Sequence, residues 1–179
     1  INLPVQSGSD SILQQMNRGY TRNEYISLVK KIRSVLPDVS LSTDLIVGFP
    51  NETEEDFRDS YDLLKELRFD IVHTAAYSPR EGTKAAVMEG QTDNRVKAAR
   101  LNLINEMQSL LARELNEEYV GRELEILIDG TAPRGEGALQ GRTKSDKVVI
   151  VRGGPELMGQ YVDVRITRAS HWSLEGEIN

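Results

Sequence analysis

The spacing of hydrophobic residues changes period once along this chain. Up to residue 118, apolar positions recur at helical spacing, interrupted by short apolar runs; after Gly121 they alternate with polar neighbours. Ile1–Gln6 reads as a strand and Ser7-Gly8-Ser9-Asp10 as a turn. Ser9 or Asp10 then caps a short helix through Ile12, Leu13 and Met16 that stops near Gly19. Thr21 caps a second helix with Tyr25, Leu28, Val29, Ile32, Val35 and Leu36 on one face, and Pro37 ends it. Leu45-Ile46-Val47 has no polar alternation, which predicts a parallel strand covered on both faces. Gly48 and Pro50 stop that strand. Thr53 caps the next helix, and Glu54, Glu55 and Asp56 place negative charge in its first turn, where the helix dipole favours it. That helix runs to about Arg68 with Phe57, Tyr61, Leu64 and Leu67 as its buried stripe. A strand over Ile71–Tyr77 follows, then a turn-rich loop, Ser78–Thr83. A long helix from Asn94 to Glu118 carries an apolar seam of Val96, Leu103, Met107, Leu110, Leu111 and Leu115.

The order up to residue 118 is β, α, α, β, α, β, the alternation of a parallel sheet with crossover helices. Beyond Gly121, Leu124, Ile126 and Ile128 alternate with polar residues, as do Val162, Val164 and Ile166. Val148–Val151 is an apolar run, and Trp172, Leu174 and Ile178 alternate again at the end. Short strands with glycine-rich turns predict a small antiparallel barrel. The expected division is an α/β part over residues 1–118 and a barrel over 119–179.

Composition narrows the function classes only a little. The chain has 179 residues, 39% hydrophobic and 28% charged, with a net charge of −6. That balance fits a soluble globular protein and argues against one held to nucleic acid or lipid by net charge, while leaving room for a local basic face. No apolar run is long enough to span a bilayer and no signal-peptide pattern is present, so a cytoplasmic protein that meets no membrane is expected. With no cysteine there is no disulfide framework and no thiolate metal site within these residues. The chain opens on Ile1, inside an apolar stretch, and so reads as part of a longer protein.

Candidate chemistry collects where strands end. Gln6, Ser7 and Ser9 follow the first strand, Asp44 and Gly48 belong to the second, and Tyr77–Thr83 follow the third. In a parallel barrel such ends converge on one face, so Gln6, Gly48 and Arg80 are expected around a shared cavity. The plainer reading is loop chemistry, and for Ser9, Asp10 and Thr53 it is capping. Arg80, between Pro79 and Gly82, suits a carboxylate or phosphate. His73 is a lone histidine without metal spacing, and the acidic run Glu52, Glu54, Glu55, Asp56 and Asp59 reads as a helix N-terminus. No residue set has the spacing of a catalytic triad or a carboxylate pair, so neither a catalytic residue nor a metal ligand is assigned. In the barrel, Arg134, Arg142, Lys144, Lys147, Arg152, Arg165 and Arg168 interleave with acids. The Gly141–Lys147 loop is locally basic through Arg142, Lys144 and Lys147 and could follow a phosphate backbone or simply be a solvated hairpin. Trp172, beside His171, is expected in the barrel core, although an exposed ring could stack on a base.

Four ordered stretches, Leu3–Ser9, Met16–Thr21, Thr43–Pro50 and Tyr77–Thr83, together make the chain similar to the radical S-adenosylmethionine methylthiotransferases. Gly141-Arg142-Thr143 and Trp172–Glu177 resemble the TRAM domain that closes members of that family. The resemblance covers essentially the whole chain. It implies an α/β fold: the second half of a partial radical-SAM barrel, followed by a small OB-like barrel that binds RNA. It implies a methylthiotransferase, expected to be monomeric, that converts N6-isopentenyladenosine beside the anticodon of tRNA to its 2-methylthio derivative. Its cofactors would be S-adenosylmethionine and two 4Fe-4S clusters whose cysteine ligands lie outside this chain, so the segment alone is expected to be inactive. By resemblance, Gln6, Ser7, Asp44, Ile46 and Gly48 approach the cofactor; Asp44 stands for the first Gly of the family's adenine-contacting pattern and Asn51 for its last Glu. Arg80 would face the substrate in a loop where Glu81 and Lys84 replace the family's usual prolines, and Arg142, Lys144, Lys147 and Trp172 would meet the tRNA anticodon arm. Two other readings remain: a methylthiotransferase acting on a ribosomal-protein aspartate, which an acidic barrel would favour, and a non-catalytic RNA-binding module on an α/β scaffold.

Overall fold

A computed structural model describes residues 1–132 and 137–179, so Arg134 lies outside the described residues. The chain divides into two compact units, Ile1–Gln108 and Ser109–Asn179.

The first unit contains α1 (Asp10–Gln15), α2 (Arg22–Val35), β1 (Ser42–Val47), α3 (Glu54–Leu67), β2 (Ile71–Ala76) and the first part of α4 (Asn94–Glu117). The helix starts follow from their caps. Ser9 accepts from Ile12 N at α1, and Thr21 with Glu24 and Thr53 with Asp56 form complete capping boxes at α2 and α3. Strands β1 and β2 pair in parallel, Ser42 opposite Ile71 through Val47 opposite Ala76. The N-terminal segment lies along the other edge of β1, but it bridges only at Asn2–Ser42 and Gln6–Leu45. The ladder is interrupted for a chemical reason. Pro4 has no N–H, and Val5 N donates to the Thr43 hydroxyl rather than to a carbonyl.

Strand β1 is buried on one face only, which corrects the expectation of cover on both. Thr43, Leu45 and Val47 are buried, whereas Ser42, Asp44 and Ile46 are half-buried. The buried face meets helices: the Tyr25 hydroxyl of α2 donates to Leu3 O at 2.6 Å and lies 3.1 Å from Thr43 Oγ1. Burial pushes the Tyr25 phenol up to about 12, so it stays protonated as that donor. Gly8 lets the chain pass against α3, where a Cβ would sit 2.5 Å from Ser60 Cα. Gly8 N donates to Ser60 Oγ there.

Two of the expected helix faces are also corrected. On α2, Tyr25, Ile26 and Val29 are buried, but Leu28, Val35 and Leu36 are exposed. On α4, Val96, Leu103 and Leu110 are exposed, and the buried face runs through Lys97, Arg100, Ile104, Met107 and Leu111. The two cations are buried because each has a strong partner, described below. On α3, Ser60 and Leu63 join Phe57, Leu64 and Leu67 in the interior, and Tyr61 is only partly covered.

The second unit is a closed five-strand barrel in the order β3-β4-β5-β7-β6. Its strands are β3 (Glu123–Thr131), β4 (Ala138–Thr143), β5 (Val148–Arg152), β6 (Tyr161–Ala169) and β7 (Leu174–Ile178). All pairings are antiparallel except β5 with β7, which is parallel and closes the barrel. Ile126, Ile128, Leu139, Val149, Val151, Val164, Ile166 and Leu174 fill the interior. Closure removes the free sheet edges that so small a sheet would otherwise expose.

Candidate functional site

In the first unit, the uncovered face of the strand pair is where ligand chemistry can occur. Gln6, Asp44, Ile46, His73, Thr74 and Ala75 line an open cavity of about 540 Å³, together with Leu45, Val72 and Asn105. Register explains the grouping, because Asp44 is level with His73 and Ile46 with Ala75. Gln6 adopts a left-handed backbone, φ 69°, where it donates to Asp44 O and accepts from Ile46 N. Asp44 is steadied by Asn2 Nδ2, 2.9 Å from its Oδ2.

The other candidates lie elsewhere. Ser7 is fully buried; its hydroxyl accepts from Ser9 N and lies 3.4 Å from Ser60 Oγ, facing α3. Gly48 and Arg80 do not line the cavity, so of the three residues expected to share it only Gln6 does. Arg80 is exposed in the loop after β2, where its carbonyl accepts from both Thr83 N and Thr83 Oγ1.

Gly48 belongs instead to a buried polar cluster at the end of β1. Its φ is +72°, and its N–H donates to Glu52 Oε2 at 2.6 Å. The same carboxylate oxygen accepts from Arg100 Nη1 of α4 at 2.6 Å, and the Glu52 and Arg100 side chains are 1% and 7% exposed. Burial pushes the Glu52 carboxyl up, and the Gly48 N–H and the Arg100 charge oppose that shift. Lys97, one turn earlier on α4, donates from Nζ to Tyr77 O at 3.0 Å, and its stem packs so tightly on Gly48 that a Cβ there would lie 2.4 Å from Lys97 Cγ. Across the turn, Asn51 N donates to Gly90 O and Thr92 Oγ1 to Phe49 O. Sequence reasoning placed Glu52 in a helix-start acidic run and passed over Lys97 and Arg100. The available signal was two cations three residues apart, in phase with Ile104, Met107 and Leu111.

On the barrel, Arg142 is engaged by two acids, Nε to Asp129 at 2.9 Å and Nη1 to Asp146 at 2.8 Å, and the Asp146 contact raises its pKa first among several causes. Lys144 pairs with Glu125 at 3.2 Å. Lys147 Nζ donates to Asn116 Oδ1 at 2.9 Å and lies over the Tyr119 ring. Trp172 is 79% exposed, not in the core. It sits in the turn before β7, where the Ser170 hydroxyl accepts from Trp172 N and Ser173 N and presents the ring outward. Asn116 Nδ2 also donates to Ser170 O, so one buried amide ties the Trp172 turn to the end of the β4–β5 hairpin. The structure therefore brings Trp172, Lys147 and their neighbours to one end of the barrel.

Among the described residues, no cluster of histidine and carboxylate groups could hold a metal ion, and no helix is long and apolar enough to cross a membrane. Residues 1–64 match the Radical SAM superfamily and residues 117–178 the TRAM domain. The chain is 47% identical to the tRNA-2-methylthio-N(6)-dimethylallyladenosine synthase of Moorella thermoacetica, over 99% of this chain and 40% of that protein. Proteins of the same name from Acetivibrio thermocellus and Geobacillus kaustophilus are 45% and 46% identical, again over 99% of this chain but 37% and 34% of their own lengths. The chain thus spans two fifths or less of these relatives. It therefore carries a Radical SAM superfamily segment followed by a TRAM domain, and is similar over nearly its whole length to proteins named tRNA-2-methylthio-N(6)-dimethylallyladenosine synthase.

Proposed function

We propose that the protein to which this chain belongs is a cytoplasmic, monomeric tRNA methylthiotransferase. It would convert N6-isopentenyladenosine beside the anticodon to its 2-methylthio form. The observation that carries the reading is the one-sided burial of β1, with helices on one face and the Gln6–Asp44–Ile46 cavity on the other. A sheet in that state offers a ligand surface backed by a rigid scaffold.

The residues present fit S-adenosylmethionine in kind. Ile46 and Ala75 offer apolar surface for a purine, and Gln6 and Asp44 offer polar groups beside it. Gly48 lies outside the cavity lining and its N–H is already bound to Glu52, so its part would be to set the end of β1 rather than to donate to the cofactor. Ser7, locked against α3, shapes the turn after Gln6. When bound, S-adenosylmethionine supplies the radical and methyl-transfer chemistry. An iron–sulfur cluster needs thiolates, this chain has no cysteine, and the ligands of both clusters would come from outside these residues. Alone, the segment would be inactive. Arg80, exposed on the β2 loop, would face the substrate.

The barrel would grip the anticodon arm through Trp172 stacking and through Arg142, Lys144 and Lys147 at phosphates. The Arg142 and Lys144 ion pairs are at the surface, where such pairs contribute at most about 1 kcal/mol, so phosphate oxygens can replace the carboxylates. Bases and acids are nearly balanced over residues 119–179, which gives no support to the acidic-barrel alternative. The domain boundary would fall at 118–119. The test is to incubate the reconstituted full-length protein with S-adenosylmethionine, reductant, a sulfur source and isopentenylated tRNA. Mass spectrometry of the digested nucleosides should show the 2-methylthio product; unconverted tRNA from a cluster-loaded protein contradicts the proposal.

A further inference from the structure

We infer that Lys97 and Arg100 of α4 are positioning residues for the cofactor face, acting through Tyr77 and Glu52 at the strand ends. Three observations converge. Both side chains are on the buried face of α4 rather than in solvent, at 7% and 6% exposure. Both reach the two chain reversals that end the strands. Arg100 grips the Glu52 carboxylate, which holds the Gly48 N–H at the end of β1. Lys97 holds the Tyr77 carbonyl at the end of β2 and fills the space beside Gly48. Tyr77 N also donates to Val47 O at 2.8 Å, so the two strand ends move as one unit gripped by one helix. A buried cation is costly unless it is paired or hydrogen-bonded, and each of these two finds its partner at a strand end. Hydrophobic residues would fill this face of α4 more simply, as Ile104 and Met107 do below.

The ends of β1 and β2 set the spacing of the Asp44, Ile46, His73 and Ala75 side chains one and two pleats away. Release of the clamp therefore spreads the cavity floor without touching a residue that lines it. The inference rests on the reading of that cavity as the S-adenosylmethionine face.

The test compares full-length reconstituted wild-type protein with Lys97→Met and Arg100→Lys. Lys97→Met keeps the stem on Gly48 and removes the ammonium; Arg100→Lys keeps the charge and loses the guanidinium's simultaneous reach to Glu52 and Glu54. Three readouts are taken: thermal midpoint, calorimetric affinity for S-adenosylhomocysteine, and amide exchange at Gly48 and Tyr77. Expected are a midpoint close to wild type for Lys97→Met, an affinity weakened about tenfold, and faster exchange at both amides. Lys97→Arg, which again reaches the Tyr77 carbonyl, should restore both. Wild-type affinity and exchange in both variants would overturn the positioning role. Wild-type protein that fails to bind S-adenosylhomocysteine while the variants still lose amide protection would overturn the cofactor reading and leave the clamp as a purely structural one.

Discussion

Arg100 Nη1 lies 2.6 Å from Glu52 Oε2, and both side chains are almost wholly shielded from water. The pair is only partly satisfied, since Glu52 Oε1 and Arg100 Nε have no hydrogen-bond partner among the described residues. Arg100 also reaches Glu54 at 3.3 Å and stacks on Phe57, 5.2 Å from the ring centre. Removal of one partner leaves the other charge buried alone. Arg100→Met should lower stability by about 3–5 kcal/mol. In the double variant Glu52→Gln/Arg100→Met the loss should be smaller than the sum of the two single losses. Urea unfolding of the four proteins measures this, and additive losses would mean that the contact carries no coupling.

Gly48 combines a left-handed backbone with contact against Lys97. Gly48→Ala should cost more than the roughly 1–2 kcal/mol of the conformation alone, because the added methyl also meets the Lys97 stem. Gly19→Ala is a suitable control, since a Cβ there has open space. Chemical denaturation of the two variants should separate them clearly.

Asp56 gives a pH dependence with a definite sign. Burial alone would raise its carboxyl, but hydrogen bonds from Ser9 and Thr53, with help from Arg100, hold it below its ordinary value of 3.8. A carboxyl lowered in the folded state stabilises the protein above the unfolded value, and that stability is lost as pH falls through the folded one. Asp56→Asn should therefore flatten the fall in stability below about pH 4 while lowering stability at neutral pH. Thermal midpoints across pH 2.5–7 (about the span in which carboxylates titrate) would show a parallel offset instead if Asp56 were not responsible.

Trp172 separates binding from folding. At 79% exposure it adds little to the core, so Trp172→Ala should change stability by no more than about 0.5 kcal/mol. If the ring stacks on a base, the same change should weaken binding of an anticodon stem-loop by about 1–3 kcal/mol. Fluorescence anisotropy with the full-length protein measures it; unchanged affinity removes Trp172 from the RNA face.

Much of this architecture is legible from local pattern. The caps Ser9, Thr21 and Thr53 and the period-two strands of the barrel arise from short-range rules that act within a few residues, and the strand–helix–strand order of β1, α3 and β2 points to their parallel pairing. Long-range pairing was harder to read. Lys97 and Arg100 look like surface cations until Tyr77 and Glu52 are found in reach, about 20 and 48 positions away. They share the buried face of α4 with Ile104, Met107 and Leu111, while Val96, Leu103 and Leu110 are exposed. Trp172 was misplaced for a related reason: the alternation of β7 was extended backward into a turn that the Ser170 hydroxyl organises. Around the cavity, Gln6 and Asp44 were legible from their places in neighbouring strand segments, and Ile46 from the family resemblance. Gly48 and Arg80 sit beyond the strand ends, where loop geometry rather than period decides direction.

We propose that this chain is part of an enzyme that places a methylthio group on isopentenylated adenosine in tRNA. The most direct test is the nucleoside content of bulk tRNA from cells that carry the gene, cells from which it is deleted, and deleted cells given it back. Loss of 2-methylthio-isopentenyladenosine on deletion, a matching rise in the unthiolated nucleoside and recovery on restoration are expected. An unchanged 2-methylthio content in the deleted cells would rule that activity out.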